Sequence, residues 1–146
     1  MNIVGFNLTK ASAERYEQLT GDVSISTNIE IKEIEKKDLD IIKDLDTLKV
    51  EFELKISYDS KTNEKKKPVK TQGLVEFSGN VLISMEPEAA KEILKAHKKK
   101  ETPISFKETM LNVILRRCSI KALELEEQVE LPPHFRLPVL SLQKKE

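Results

Sequence analysis

Tryptophan is absent from this chain of 146 residues, glycine occurs only four times, and one cysteine, Cys118, has no second thiol to pair with. A lone cysteine excludes an intrachain disulfide framework, and its flanks Leu115 and Ala122 read as helix interior. A reducing, cytoplasmic location follows as the expectation. Gly5, Gly21, Gly73 and Gly79 are too scattered for a phosphate-cradling loop or a dinucleotide fingerprint. His97 and His134, the only histidines, stand at ligand spacing neither with each other nor with Cys118, so the usual donor set for a metal is missing. No cofactor is expected. No stretch approaches the roughly 18 apolar residues of a membrane span, and no cationic segment leads into a long apolar run near Met1, so membrane insertion is not expected.

Charge of one sign is also missing, because Lys+Arg and Asp+Glu both number 25. A net charge of zero argues against a general affinity for nucleic acid or anionic membrane. The clusters Lys65-Lys66-Lys67 and Lys98-Lys99-Lys100 lack the interleaved aromatics that stack on bases, and read as solvated loops. Carboxylates alternate with lysines as on exposed faces, and Ser119 has no base close by in sequence, although the fold could bring one. An enzyme is not expected.

What is present is one α+β domain spanning residues 1–146, a length at which about 70% of the unfolded chain's surface can be buried. Thr9 to Leu19 reads as a short helix with Thr9 as its cap and Gly21 beyond its end. The segment that follows alternates, placing Val23, Ile25, Thr27, Ile29 and Ile31 on one strand face, and its phase changes at Ile34, where a bulge or the strand's end is expected. Residues 48–58 alternate without a fault, with Leu48, Val50, Phe52, Leu54, Ile56 and Tyr58 on one side. A polar connection from Asp59 to Pro68 leads to a returning strand with Val69, Thr71, Val75, Phe77, Val81, Ile83 and Met85 on one face. Gly73 and Gly79 share that face, where a missing side chain admits a bend or a close approach from above.

Pro87 opens a helix to about Lys99 with Ala90, Ile93, Leu94 and His97 inward. Thr102-Pro103 opens a second, running to about Glu127. Phe106, Met110, Leu111, Val113, Ile114, Leu115, Cys118, Ile120 and Ala122 make it apolar nearly all round, so it must be covered on two sides. The sheet can supply one cover. A second copy of the chain is expected to supply the other, with Met110, Val113, Ile114, Leu115 and Cys118 at the interface. Two apolar segments fit neither period: the crossover before the second strand, with Leu39, Ile41, Ile42 and Leu45, and the Pro-rich tail, with Phe135, Leu137, Val139, Leu140 and Leu142.

This order of elements resembles the SecB family of chaperones for unfolded proteins, including its relatives that accompany toxin–antitoxin pairs. The most specific part is Leu131-Pro132-Pro133-His134-Phe135-Arg136-Leu137-Pro138-Val139, which is similar to the family's Leu/Phe-Pro-x-Leu-x-Leu-x-Pro-Val stretch; Val75-Glu76-Phe77 before the helices is also similar. Near the start of the long helix the family's Pro-Tyr-Ala-Arg-Glu is replaced by Ser105-Phe106-Lys107-Glu108-Thr109. The resemblance implies a four-stranded antiparallel sheet with helices on one face, assembled through the long helix into dimers and then a homotetramer. It implies an ATP-independent holdase for unfolded or precursor polypeptides, keeping them competent for export through an open groove lined by the crossover and tail residues just named. The alternative is a module dedicated to one protein partner, such as an antitoxin.

Overall fold

Alternation along residues 46–60 is so regular because both strands beside it are long enough to pair with its whole length. A computed structural model describes residues 1–16, 19, 22–38, 41–61 and 70–143. Its strands are β1 (Asn2–Arg15), β2 (Val23–Lys37), β3 (Asp46–Ser60) and β4 (Thr71–Met85), followed by helices α1 (Pro87–Lys98) and α2 (Ile104–Gln128). They form one antiparallel four-stranded sheet in the order β1-β4-β3-β2, with α1 against β2 and β3 and α2 against β4 and β1. The fold class is therefore the α+β sheet with helices on one face that the sequence led us to expect.

The core is built from cross-strand pairs on the inner face of β3 and β4: Leu48 opposite Ile83, Val50 opposite Val81, Leu54 opposite Phe77 and Ile56 opposite Val75, all at most 1% exposed. Pairs of this kind are the unit from which a sheet gains stability, and here the helices seal them. The outer face carries a lattice of charges, in which Glu53 meets Lys55 at 3.1 Å and Lys32 at 3.5 Å, and Lys49 meets Glu51 at 3.0 Å. The hydrogen bond from Lys55, then its charge together with that of Lys32, holds the Glu53 carboxyl below the ordinary range. Such exposed pairs add little stability.

The segment expected to be a helix from Thr9 is instead the second half of β1. Its inward residues are Phe6, Leu8, Ala11 and Ala13, opposite Val81, Gly79, Phe77 and Val75, with Thr9 inserted as a bulge between Leu8 and Lys10. The extra residue turns a period of two into the spacing 6, 8, 11, 13, and its step of three is one that a helix stripe also shows. At β2 the phase change before Ile34 is a bulge, with Lys32 inserted between Ile31 and Glu33 and the strand continuing to Lys37. Another irregularity lies between Tyr58 and Asp59 opposite Gly73 and Thr71, which carries Thr71 to the exposed side, where its hydroxyl donates to Asp59 at 2.8 Å. Gly21, Leu39, Val69 and Lys65-Lys66-Lys67 lie outside the described residues.

Both expected helices are present, and α1 presents Ala90 and Ile93 to the core. The buried positions of α2 recur every fourth residue: Phe106, Met110, Ile114, Cys118, Ala122 and Glu126. A step of four advances about 40° beyond a full turn, so the buried line winds roughly 200° around the helix from Phe106 to Glu126. Sheet covers the early part of that line and the chain's own tail covers the end. Burial pushes the Cys118 thiol up to about 11, against an ordinary value of 9.0, and the Tyr58 hydroxyl is raised by burial as well. Both groups hold their protons more tightly when folded, so stability should be intact below pH 9.0 and decline as pH rises toward about 11. A thermal-denaturation series across that range checks the sign. In parallel, a thiol reagent at neutral pH should leave Cys118 unmodified until denaturant is added.

Candidate functional site

The C-terminal end of α2 hands the chain over to the tail through a tight turn. Leu131 donates its N–H to the Glu126 carbonyl at 2.8 Å and Glu130 to that of Glu127 at 3.4 Å, with Glu130 in the left-handed region at φ 58°. This is the pairing of a Schellman cap, which usually employs glycine at the position Glu130 occupies. Arg15 of β1 braces the turn, donating from Nε to the Val129 carbonyl at 3.0 Å and lying 3.5 Å from the Glu130 carboxylate.

Beyond the turn, the first residues of the tail are docked. Leu131 packs on Gly73, where an added Cβ would come within 2.7 Å of Leu131 Cδ2. The Tyr58 hydroxyl donates to the Pro132 carbonyl at 2.6 Å. His134 straddles α2: Nδ1 lies 2.6 Å from Glu126 Oε1, its backbone N–H donates to Glu126 Oε2 at 3.3 Å, and Nε2 lies 3.2 Å from Ser119 Oγ. The side chains of His134 and Glu126 are 5% and 1% exposed, so this carboxylate would be costly to bury without its partners. Desolvation raises the Tyr58 hydroxyl, and the neighbouring Glu126 charge raises it further.

Ser119, His134 and Glu126 thus share the connectivity of a nucleophile, base and orienting carboxylate. Ser119 lies in the middle of α2, where the backbone N–H groups are committed to the helix and cannot form an oxyanion hole. The arrangement binds the tail to the helix. Sequence reasoning missed it, although a signal was available: Glu126 extends the four-residue stripe of core positions, and a carboxylate there demands a partner.

Past His134 the tail opens to solvent. Phe135 crosses the His134 ring edge-on at 4.8 Å, and Phe135 and Leu137 are each 43% exposed, while Val139, Leu140 and Leu142 are 84–85% exposed. The crossover segment is partly open, with Ile41 exposed and Ile42 and Leu45 half-buried around a turn in which the Leu45 N–H donates to the Ile42 carbonyl at 3.3 Å. The two sets do not line one groove at their roots. Asp46, next to the crossover, and Tyr58, under the tail root, stand at opposite ends of β3, roughly 40 Å apart along an extended strand.

The expected interface set also divides. Met110, Ile114 and Cys118 are fully buried against the chain's own sheet and have no surface to offer a second copy, whereas Val113 is half-buried and Leu115 is 38% exposed. Two outward residues lie outside that expected set, Ile104 and Ile120, at 76% and 69% exposure. Ile120 joins Phe6, Leu8 and the charged Arg117, Lys121 and Glu124 in a cleft of about 540 Å³ between α2 and the edge strand β1. On the outer face, the carboxylates of Glu33, Glu35 and Glu51 lie within 4.8 Å of one another, with Lys37 3.6 Å from Glu35 and Lys49 3.0 Å from Glu51 balancing their charge.

Sheet order, helix placement and docked tail define a small α+β sheet-and-helix protein with an exposed apolar arm. No protein-family model and no curated protein matches the chain. Among solved structures it is similar to a SecB-like chaperone of Mycobacterium tuberculosis in complex with a peptide from an antitoxin, with a TM-score of 0.46 and 13% identity over 98% of this chain and 92% of that one.

Proposed function

We propose that this protein is an ATP-independent holdase of the cytoplasm, which binds unfolded polypeptides and keeps them soluble and competent for export. The observation that carries the reading is the arm itself: Phe135, Leu137, Val139, Leu140 and Leu142 are displayed to solvent on one short segment. A folded chain rarely leaves so much contiguous apolar side chain without something to cover it. The crossover offers a second apolar patch at the other end of the sheet. A flexible client carrying many apolar segments can engage both, and weak contacts made together yield tight binding. A protein that takes up the unfolded state lowers its free concentration by mass action and needs no nucleotide for it. Outward Leu115, Ile120 and Ile104 on α2 support the further proposal that the working form is a homo-oligomer, a tetramer.

The test is suppression of aggregation when a denatured client is diluted with and without this protein. The wild type should delay aggregation at about one oligomer per client without ATP. Ile41→Ser with Ile42→Ser, and separately Phe135→Ser with Leu137→Ser, should weaken that protection while leaving the melting temperature within a few degrees. Truncating a core side chain costs about 2–5 kcal/mol, whereas truncating one in an open surface costs mostly the contact with the client. Melting temperatures that fall in step with binding would assign these residues to the core. No protection at several-fold excess, across chemically different clients, would end the holdase reading, and one stoichiometric partner in a pulldown would replace it with the dedicated module.

A further inference from the structure

Four polar contacts and a packed leucine converge where the tail leaves the body, on a segment that then exposes almost every side chain it has. We infer that Glu126, His134, Ser119 and Tyr58 form a clasp that positions the tail, and that client affinity is set by this clasp although its members lie beneath the client surface. The inference rests on the holdase reading and names the residues that position its binding arm. Glu126 grips His134 through both the ring and the backbone N–H, Ser119 meets the other ring nitrogen, and Tyr58 fixes the Pro132 carbonyl. Leu131 fills the space left open above Gly73. Together these hold residues 131–134 against α2 and β3, so that Phe135, set edge-on against the clasp histidine, becomes the first exposed apolar residue of the arm.

The buried carboxylate explains why the clasp is polar. An apolar residue at position 126 would extend the core stripe and hold the tail by area alone, without fixing its register. A carboxylate bonded at both oxygens accepts one placement of the histidine, and hence one exit direction for the arm. With the root fixed, a client meets an arm anchored at one end. With the root released, the arm must be ordered at the moment of binding, and affinity falls by the fraction of time it is in place.

Three variants test this. His134→Ala deletes the ring; His134→Asn keeps a side-chain N–H where Nδ1 was, facing Glu126; Tyr58→Phe deletes the hydroxyl that bonds Pro132 and neighbours Glu126. Each is measured for affinity toward a fluorescent unfolded client, for melting temperature, and for hydrogen exchange at the Leu131 and His134 amides. His134→Ala should expose both amides to exchange and weaken client binding about tenfold. His134→Asn should restore most of both, and Tyr58→Phe should loosen the Pro132 end. Adding Phe135→Ser and Leu137→Ser to His134→Ala should cost less than the same pair costs in the wild type, because an arm already released has less binding to lose. Rapid exchange at Leu131 with client affinity unchanged would overturn the inference and leave the holdase reading standing. A wild type that binds no client, its amides still protected, would remove the holdase reading and this inference with it. Should His134→Ala fail to fold, Tyr58→Phe carries the same comparison with its buried ring retained.

Discussion

Ile114→Lys should leave the chain unfolded, while Leu115→Lys, one residue along the same helix, should leave each protomer folded. Ile114 is fully buried beneath the sheet, and Leu115, about 100° further round α2, is 38% exposed. Replacing Ile114 removes its buried side chain, a loss of about 2–5 kcal/mol, and puts an ammonium into the hydrophobic core, adding several more. A domain of this size has a total stability of about 5–15 kcal/mol, so the sum is comparable to the whole. Circular dichroism with urea titration should show no cooperative transition for Ile114→Lys and a midpoint close to the wild type for Leu115→Lys. Light scattering then completes the contrast. If the outer side of α2 is the assembly surface, Leu115→Lys shifts the mass toward dimer or monomer, and an unchanged mass would place the interface elsewhere.

Gly79→Ala is expected to detach or strain the edge strand. A Cβ at this position would lie 2.1 Å from the Asn7 carbonyl oxygen and 3.0 Å from Leu8 Cα, both backbone atoms of β1 at its bulge. Backbone in a paired strand cannot swing aside as a side-chain tip can, so the substitution moves β1 or breaks its pairing there. Forced overpacking of this kind costs about 1–3 kcal/mol, which lowers the melting temperature of a chain this long by roughly 3–10 °C. Gly5→Ala in the same strand is the control. Its added Cβ meets the Leu82 side chain at 3.2 Å, which can give way, and the melting temperature should change far less. Equal effects at the two glycines would mean that β1 accommodates the added methyl at its bulge.

Alternation determined β3 before any tertiary information, because a strand paired on both sides and sealed on one face admits only one apolar pattern. The inner row of β4 from Gly73 to Met85 and the two helices followed from period in the same way, and the phase change at Ile34 located the bulge at Lys32. Glycine at positions 73 and 79 announced close approaches, which proved to be Leu131 and the backbone of β1. β1 was illegible because an edge strand with small inward residues carries a weak signal, and the bulge at Thr9 shifted what signal there was to helix spacing.

For the candidate site, the sequence determined which segments are apolar without a period, the crossover and the tail. Only the tertiary structure decided that they begin at opposite ends of β3, that the middle of the α2 stripe belongs to the protomer's own core, and that the tail is pinned before it is exposed. The reason is physical. Periodicity reports which residues share a face of one element, since that depends on neighbours a few positions apart. Whether a face meets the sheet, the tail or solvent depends on contacts between residues far apart in the chain. His134 and Ser119 are 15 positions apart, Tyr58 and Pro132 are 74, and no local pattern encodes either meeting.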